Sequence, residues 1–301
     1  MHYIIRTREY IGALYHTGQR GIIRKMYSRG RWQAEQVIAG ECLENFTVHY
    51  ENKTTYIFYQ NTDGDVVSVT ISDADTAVNS KVMLKHPTGH ILPIMVYPVL
   101  SDEGLTIIYN AAGAEDGKDH LMTRRLDISG QWTTAARIDE CLPGSLQIQR
   151  VTNDHLLLFY QTRTASVNMG YREITAKQTG EYNIYYASKF TPADMSHLTT
   201  GQGVHTLVVA NGMFASQLIY RRNLSGTFDG PVVIYEAQHI ENCSLFYVTG
   251  RLFITFQSAG ILFICESGDN GASFSRPVRY TGKLSQNLLR AFFINGEAQS
   301  E

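Results

Sequence analysis

The chain is poor in several residue types at once, with 4 cysteines, 7 prolines and 2 tryptophans in 301 residues. Cys42, Cys141, Cys243 and Cys265 stand far apart and include no Cys-x-x-Cys pair, so the spacing gives no support to a zinc site. The N-terminus lacks a basic region followed by an apolar core, so no export signal is read there. The expectation is therefore a cytoplasmic protein with four reduced, mostly buried thiols. Neither sign of charge dominates: 26 Lys and Arg against 28 Asp and Glu leave a formal net charge of −2. That balance argues against a nucleic-acid partner held by a broad basic surface. No apolar run approaches the roughly 18 to 20 residues of a membrane span, so no membrane partner is expected.

What the chain does have is aromatic weight, 11% with 18 Tyr and 13 Phe, the balance of a strand-rich fold. It also repeats itself. The segments YIFYQ (56–60), TIIYN (106–110), LLFYQ (157–161) and ITFQ (254–257) are short apolar runs ending in an amide; ALYH (13–16) and LVVAN (207–211) are weaker copies. Their last residues, His16, Gln60, Asn110, Gln161, Asn211 and Gln257, are spaced by 44, 50, 51, 50 and 46 residues. A second marker is a small or polar residue opening an earlier strand: His2, Asn45, His90, Ser145, His197 and Asn242. A third places an aromatic two residues after a turn glycine: Gly30 and Trp32, Gly130 and Trp132, Gly180 and Tyr182, Gly226 and Phe228. Gly271 and Phe274 fill this slot with a spacing of three, and the unit near Asp73 lacks it.

Glycine supplies the turn and the aromatic starts the next strand on its buried face. No stretch longer than a few residues keeps a 3.6-residue apolar period. Units of four strands repeated six times predict an all-β, single-domain six-bladed β-propeller over 1–301. The blades are expected at about 1–42, 43–88, 89–142, 143–194, 195–239 and 240–283, with a closing tail at 284–301. That tail resembles a seventh inner strand, with Asn287 in the marker slot and nothing after it to complete a blade. It either closes the ring against the first blade or reaches outward to a partner.

The run SGDNGASF (267–274) resembles the Asp-box, Ser-x-Asp-x-Gly-x-x-Phe/Trp, of the sialidase-like, BNR-repeat propellers. Ser267, Asp269, Gly271 and Phe274 carry the match, and the resemblance implies a structural turn on the face away from any ligand. An active sialidase would also need three arginines, a Tyr–Glu nucleophile pair and an Asp acid/base. The N-terminal Tyr3-Ile4-Ile5-Arg6-Thr7 does not match the family's first arginine motif. Arg163 lies near a predicted loop, but two more arginines do not assemble beside it. Tyr50-Glu51 and Tyr235-Glu236 are adjacent pairs whose side chains point to opposite faces of a strand, so neither is a dyad. Cys42 and Cys141, in equivalent loops leading into the second and fourth blades, and Cys243, at the entry to the sixth, give no sign of a depressed pKa, and His239 and Glu241 are too loosely spaced to claim a metal. No cofactor or metal is expected.

In a propeller the first strand starts on one face, called upper here, and the second returns to it. The residue opening one should then sit beside the residue ending the other. That pairs His2 with His16, Asn45 with Gln60, His90 with Asn110, Ser145 with Gln161, His197 with Asn211 and Asn242 with Gln257. The twelve form a polar ring at the mouth of the channel. Thr47, His49, Gln147, Gln149 and Thr199 continue it along the inner strands. Amides and imidazoles both donate and accept, as a hydroxyl-rich ligand requires. The competing role for the Gln and Asn set is to satisfy loop backbone, and repetition in every blade favours that role. Three functions follow: a non-catalytic propeller binding a glycan or other small polar ligand, a scaffold for a protein partner, and a divergent glycoside hydrolase.

Overall fold

The computed structural model describes residues 2–73, 78–85, 96–101, 104–112, 119–127, 129–142, 145–152, 155–162, 168–175, 178–187, 191–281 and 291–295. Among them there is no helix, and therefore none long and apolar enough to cross a membrane. The strands form six antiparallel sheets arranged as a six-bladed β-propeller.

The first blade holds β1 (His2–Arg6), β2 (Ile11–Thr17), β3 (Gly21–Ser28) and an outer strand split into β4 (Arg31–Trp32) and β5 (Gln36–Ala39). The second runs through β6 (Cys42–Glu51), β7 (Thr54–Asn61), β8 (Val66–Ser72) and β9 (Asn79–Leu84). The third comprises β10 (Val96–Ser101), β11 (Gly104–Ala112), β12 (Asp119–Leu126) and β13 (Ala136–Cys141), and the fourth β14 (Gln147–Thr152), β15 (His155–Tyr160), β16 (Asn168–Thr175) and β17 (Asn183–Ala187). The fifth contains β18 (Thr191–Thr200), β19 (Gly203–Asn211), β20 (Ser216–Asn223) and β21 (Val232–Ala237), and the sixth β22 (Glu241–Val248), β23 (Arg251–Ser258), β24 (Ile261–Ser267) and β25 (Val278–Arg279).

The second strands explain the cohesion of the ring. Successive side chains point to opposite sheet faces, and both faces of a blade are covered by neighbours, so these strands read as unbroken apolar runs. Leu157 and Phe159 pack toward the fifth blade, whereas Leu156, Leu158 and Tyr160 pack toward the third. In the fifth blade Val208 and Ala210 turn one way while Leu207 and Val209 turn the other.

The glycine-aromatic marker has a matching physical role. Trp132 and Phe228 form isolated bridges to Leu126 and Asn223, and Trp32 pairs with Tyr27, each continuing the third strand's hairpin. Trp132, Tyr182, Phe228 and Phe274 each plug the seam to the preceding blade. Around SGDNGASF the turn is internally bonded. Gly271 N–H donates to Ser267 Oγ at 2.8 Å, and Asp269 accepts from Ser273 N–H at 2.9 Å and Ser273 Oγ at 2.6 Å. The two Ser273 bonds, with a third from Ser267 Oγ at 2.7 Å, hold the Asp269 carboxyl well below the usual range.

The tail strand β26 (Ala291–Asn295) runs parallel to β1, with His2 opposite Ala291 and Arg6 opposite Asn295, and lies inside β1 in the channel. Phe292 and Ile294 pack toward the cluster between blades one and two, and Phe293 toward the cluster between blades five and six. Asn287 and the residues up to 290 lie outside the described residues. One strand boundary departs from the sequence spacing: β18 starts at Thr191, ahead of the expected 195, because Thr191 and Pro192 pair with Asn211 and Ala210 across a bulge before Asp194.

Candidate functional site in the central channel

The polar ring is best judged residue by residue, since its members meet different fates. Asn242 Nδ2 donates to Gln257 Oε1 at 2.7 Å, and Gln161 N–H donates to Ser145 Oγ at 3.1 Å, so these two pairs are brought together as the topology requires. The contacts are internal, however. Gln60 is buried and its amide donates to the Gly64 carbonyl at 3.1 Å, closing the β7–β8 turn. Ser145 Oγ donates to Leu142 O at 2.7 Å. Asn211 accepts from Ser216 Oγ at 2.8 Å. His2 opposes Tyr15, one residue short of His16, and stacks on the Tyr15 ring. Asn45 lies in the bulged stretch of β6 between Cys42 and Phe46, and Asn110 pairs with Leu121 in β11. His90 lies outside the described residues.

His197 and Asn211 are not neighbours. His197 pairs with Thr206, and Asn211 with Thr191, because β18 starts earlier than the spacing suggests. His197 is instead buried between blades four and five, stacked 4.0 Å from the Phe159 ring centroid. Its Nδ1 contacts Gln147 Oε1 at 2.8 Å, and its Nε2 contacts the Tyr185 hydroxyl at 2.9 Å. An amide oxygen only accepts, so Nδ1 carries the hydrogen and Nε2 accepts from Tyr185. Gln147 then donates its own amide to Met195 O at 2.9 Å. These residues build the seam rather than face a ligand.

The open space lies deeper, along the channel toward the face where the inner strands end. A cavity of about 460 Å3 is lined there by β14 from Gln147 to Thr152, the end of β18 from Leu198 to Gly201, and His49, Tyr97 and Phe292. None of the described ring residues lines it. The inner-strand continuation does: His49, Gln147, Gln149 and Thr199 are all in its wall. Gln149 Oε1 accepts from Thr199 N–H at 3.1 Å, which fixes the amide across the fourth and fifth blades. Thr47 is the exception, since its hydroxyl donates to Val96 O in the neighbouring seam.

Sequence reasoning missed the charged part of this site. Arg150 lines the cavity from the fourth blade, and His49 Nε2 donates to Glu51 Oε2 at 3.2 Å in the second. The His49 hydrogen bond, and then the Arg150 charge, hold the Glu51 carboxyl below its ordinary range against the opposing pull of burial. Burial pulls the His49 imidazole down, which favours its neutral form. The periodicity of β6 and β14 carried part of this signal, because 47, 49 and 51 alternate together, as do 147 and 149. The thiols take no part: burial pushes Cys42 up and Cys265 up to about 12. Among the described residues no group of His, Cys, Asp and Glu is placed to hold a metal.

No family model matches the sequence, and no curated protein sequence matches it. Solved structures do match. A mutant of AofleA from Arthrobotrys oligospora superposes with a TM-score of 0.60 at 12% identity, over 93% of this chain and 86% of that one. The fungal lectin of Aleuria aurantia, a six-bladed β-propeller described with a novel fucose recognition mode, gives 0.60 at 12% identity, over 92% and 94%. A PL25 ulvan lyase, a polysaccharide lyase, gives 0.51 at 10% identity, over 93% and 78%. At these identities the likeness establishes the propeller fold.

Proposed function

We propose that this chain is a non-catalytic carbohydrate-binding propeller whose ligand enters the central channel. The observation that carries this reading is the wall of the 460 Å3 cavity, which sets Arg150 and the Gln149 amide against Tyr97 and Phe292. Sugars are recognised by such a combination: fixed donors and acceptors for the hydroxyls, and aromatic or apolar faces for the C–H surface. The volume falls within the roughly 300–1,000 Å3 of small-ligand pockets. The superposition on the fungal lectin of Aleuria aurantia supports the same reading, and the Ser267–Phe274 turn supports kinship with Asp-box propellers.

The test is calorimetric titration of the purified chain with a panel of free monosaccharides and methyl glycosides, fucosides included. At least one is expected to bind, and Gln149→Ala is expected to weaken it by about tenfold, or ~1.4 kcal/mol, with the fold retained. Binding unaffected by both Gln149→Ala and Arg150→Gln would move the site elsewhere. A panel without any binder would remove the reading.

A further inference from the structure

His49 stands in the wall of the channel cavity with one ring nitrogen engaged by the protein. Its Nε2 lies 3.2 Å from Glu51 Oε2. A carboxylate accepts, so Nε2 carries the hydrogen of the neutral ring and Nδ1 keeps its lone pair as an acceptor. Among the described residues no hydrogen bond reaches Nδ1. Glu51 is buried and is not among the described residues lining the cavity, so it acts on a ligand only through the imidazole.

The surroundings hold the ring in place. Residues 49 and 51 share one face of β6, which brings the carboxylate alongside the imidazole. Tyr56, opposite His49 on β7, stacks on the ring with centroids 5.9 Å apart. Arg150 of β14 faces the pair from the fourth blade, and its charge disfavours a charged His49. The other titratable residues described in the wall are Tyr3 of β1 and Tyr97 of β10, which donate their hydroxyls to the carbonyls of Phe46 and Leu146.

We propose that His49 Nδ1 accepts from a ligand hydroxyl that bridges it to Arg150, and that protonation of this nitrogen weakens the ligand's hold in acid. The inference rests on the carbohydrate reading of the channel. A guanidinium only donates, so the bridging hydroxyl accepts from Arg150 and gives its hydrogen to Nδ1. Once Nδ1 is protonated, the hydroxyl meets donors on both sides and two cations share the wall. Burial lowers the imidazole from 6.5, with the Glu51 bond opposing and the Arg150 charge assisting. The ligand takes the neutral ring, so affinity is flat above pH 6.5 and falls as the pH drops through the lowered value, by about tenfold per pH unit at the steepest for one proton.

The experiment is calorimetric titration of the full chain with the methyl glycosides of fucose, galactose, glucose and mannose between pH 8 and pH 5, with circular dichroism to confirm the fold at each pH. The expected result is an affinity that is constant above pH 6.5 and about tenfold weaker at pH 5. His49→Gln keeps an amide acceptor that does not titrate, and is expected to bind equally at both ends of the range. Glu51→Gln removes the carboxylate that supports a charged imidazole, so the fall should move to more acid pH. Long-range nitrogen-15 NMR of the native chain adds a readout free of substitutions, in which Nδ1 is unprotonated at pH 7.5 and shifts more than Nε2 when a glycoside binds. Affinity independent of pH, or the same fall in His49→Gln, would overturn the proton's role. A protonated Nδ1 at neutral pH would overturn the acceptor assignment. A panel without a binder at any pH would remove the carbohydrate reading and this inference with it, whereas pH-independent binding removes this inference alone.

Discussion

The ring of Phe292 stacks on that of Tyr3, with centroids 5.2 Å apart, so the last described strand of the chain is seated on the first. Tyr3 in turn lies 5.3 Å from Phe46 of the second blade and donates its hydroxyl to the Phe46 carbonyl at 3.2 Å. The contact joins the chain's end, its beginning and the second blade in a single packed column. Among the described residues this column, together with Phe293 packed on the cluster between blades five and six, ties the two ends of the ring together.

Removing β26 should therefore destabilise the whole ring rather than fray one edge. Phe292→Ala is expected to cost about 2 kcal/mol, below the roughly 3–5 kcal/mol of a fully buried Phe→Ala change because Phe292 is only partly buried. Truncation before Ala291 is expected to lower the melting temperature further and to speed amide exchange in β1. Exchange in β1 that stays unchanged after truncation would refute the closing role.

Two glycines with nearly the same backbone angle should respond very differently to the same substitution. Gly271 has φ +79° and Gly30 has φ +77°. A Cβ on Gly271 would run into the Tyr220 hydroxyl, whereas one on Gly30 meets open space. Gly30→Ala carries only the left-handed backbone penalty, about 1 kcal/mol. Gly271→Ala adds displacement of a buried tyrosine and should exceed it by at least ~1–2 kcal/mol. Equal denaturation midpoints for the two variants would contradict the packing of Tyr220 against this turn.

The Gln147–His197–Tyr185 chain is a structural network and should behave as one. Gln147→Leu removes the acceptor of His197 Nδ1 and the donor to Met195 O, leaving two buried groups without partners. A cost of about 1–3 kcal/mol for each stranded group is expected. A fall in the urea midpoint, unchanged by any sugar that binds the channel, would support this role; an unchanged midpoint would contradict it.

Much of the fold could be read in advance because propeller strands are buried on both faces and their apolar runs recur with the blade. Glycine turns followed by an aromatic recur for the same reason: Trp132, Tyr182, Phe228 and Phe274 each fill a seam, while Trp32 stays half exposed on Tyr27. His197 was misplaced because residue type does not reveal that β18 begins at Thr191, six residues ahead of it, so that His197 pairs with Thr206 and turns into a seam instead of standing at the channel mouth. The proximity of Arg150 to Glu51 was invisible because it joins the second and fourth blades across the channel, a distance in sequence that no local pattern spans. The tail was legible as a strand, but its parallel pairing inside β1 depends on which partner the closed ring leaves exposed.

A buried histidine outside the channel cavity gives the molecule a defined acid response. His205 is fully buried, with Nδ1 2.6 Å from the Tyr220 hydroxyl and Nε2 3.2 Å from Thr200 Oγ1. Burial first, and then the nearby Arg222 charge, pull its pKa from 6.5 down to about 4. Between those values the unfolded chain takes up a proton that the folded chain refuses. The stability held by neutral His205 is thus fully present above pH 6.5 and is lost as the pH falls toward 4. The full effect is on the order of 3 kcal/mol. His2 and His49 are lowered in the same direction and add to the slope. Asp139, Glu51 and Asp269 are held below their ordinary carboxylate values, so their contribution is lost at more acid pH than most of this window. Urea midpoints measured from pH 7.5 to 4.5 should fall steadily, and His205→Asn should flatten the fall even if it lowers the midpoint at neutral pH. A variant that keeps the native slope would show that His205 is not the group responsible.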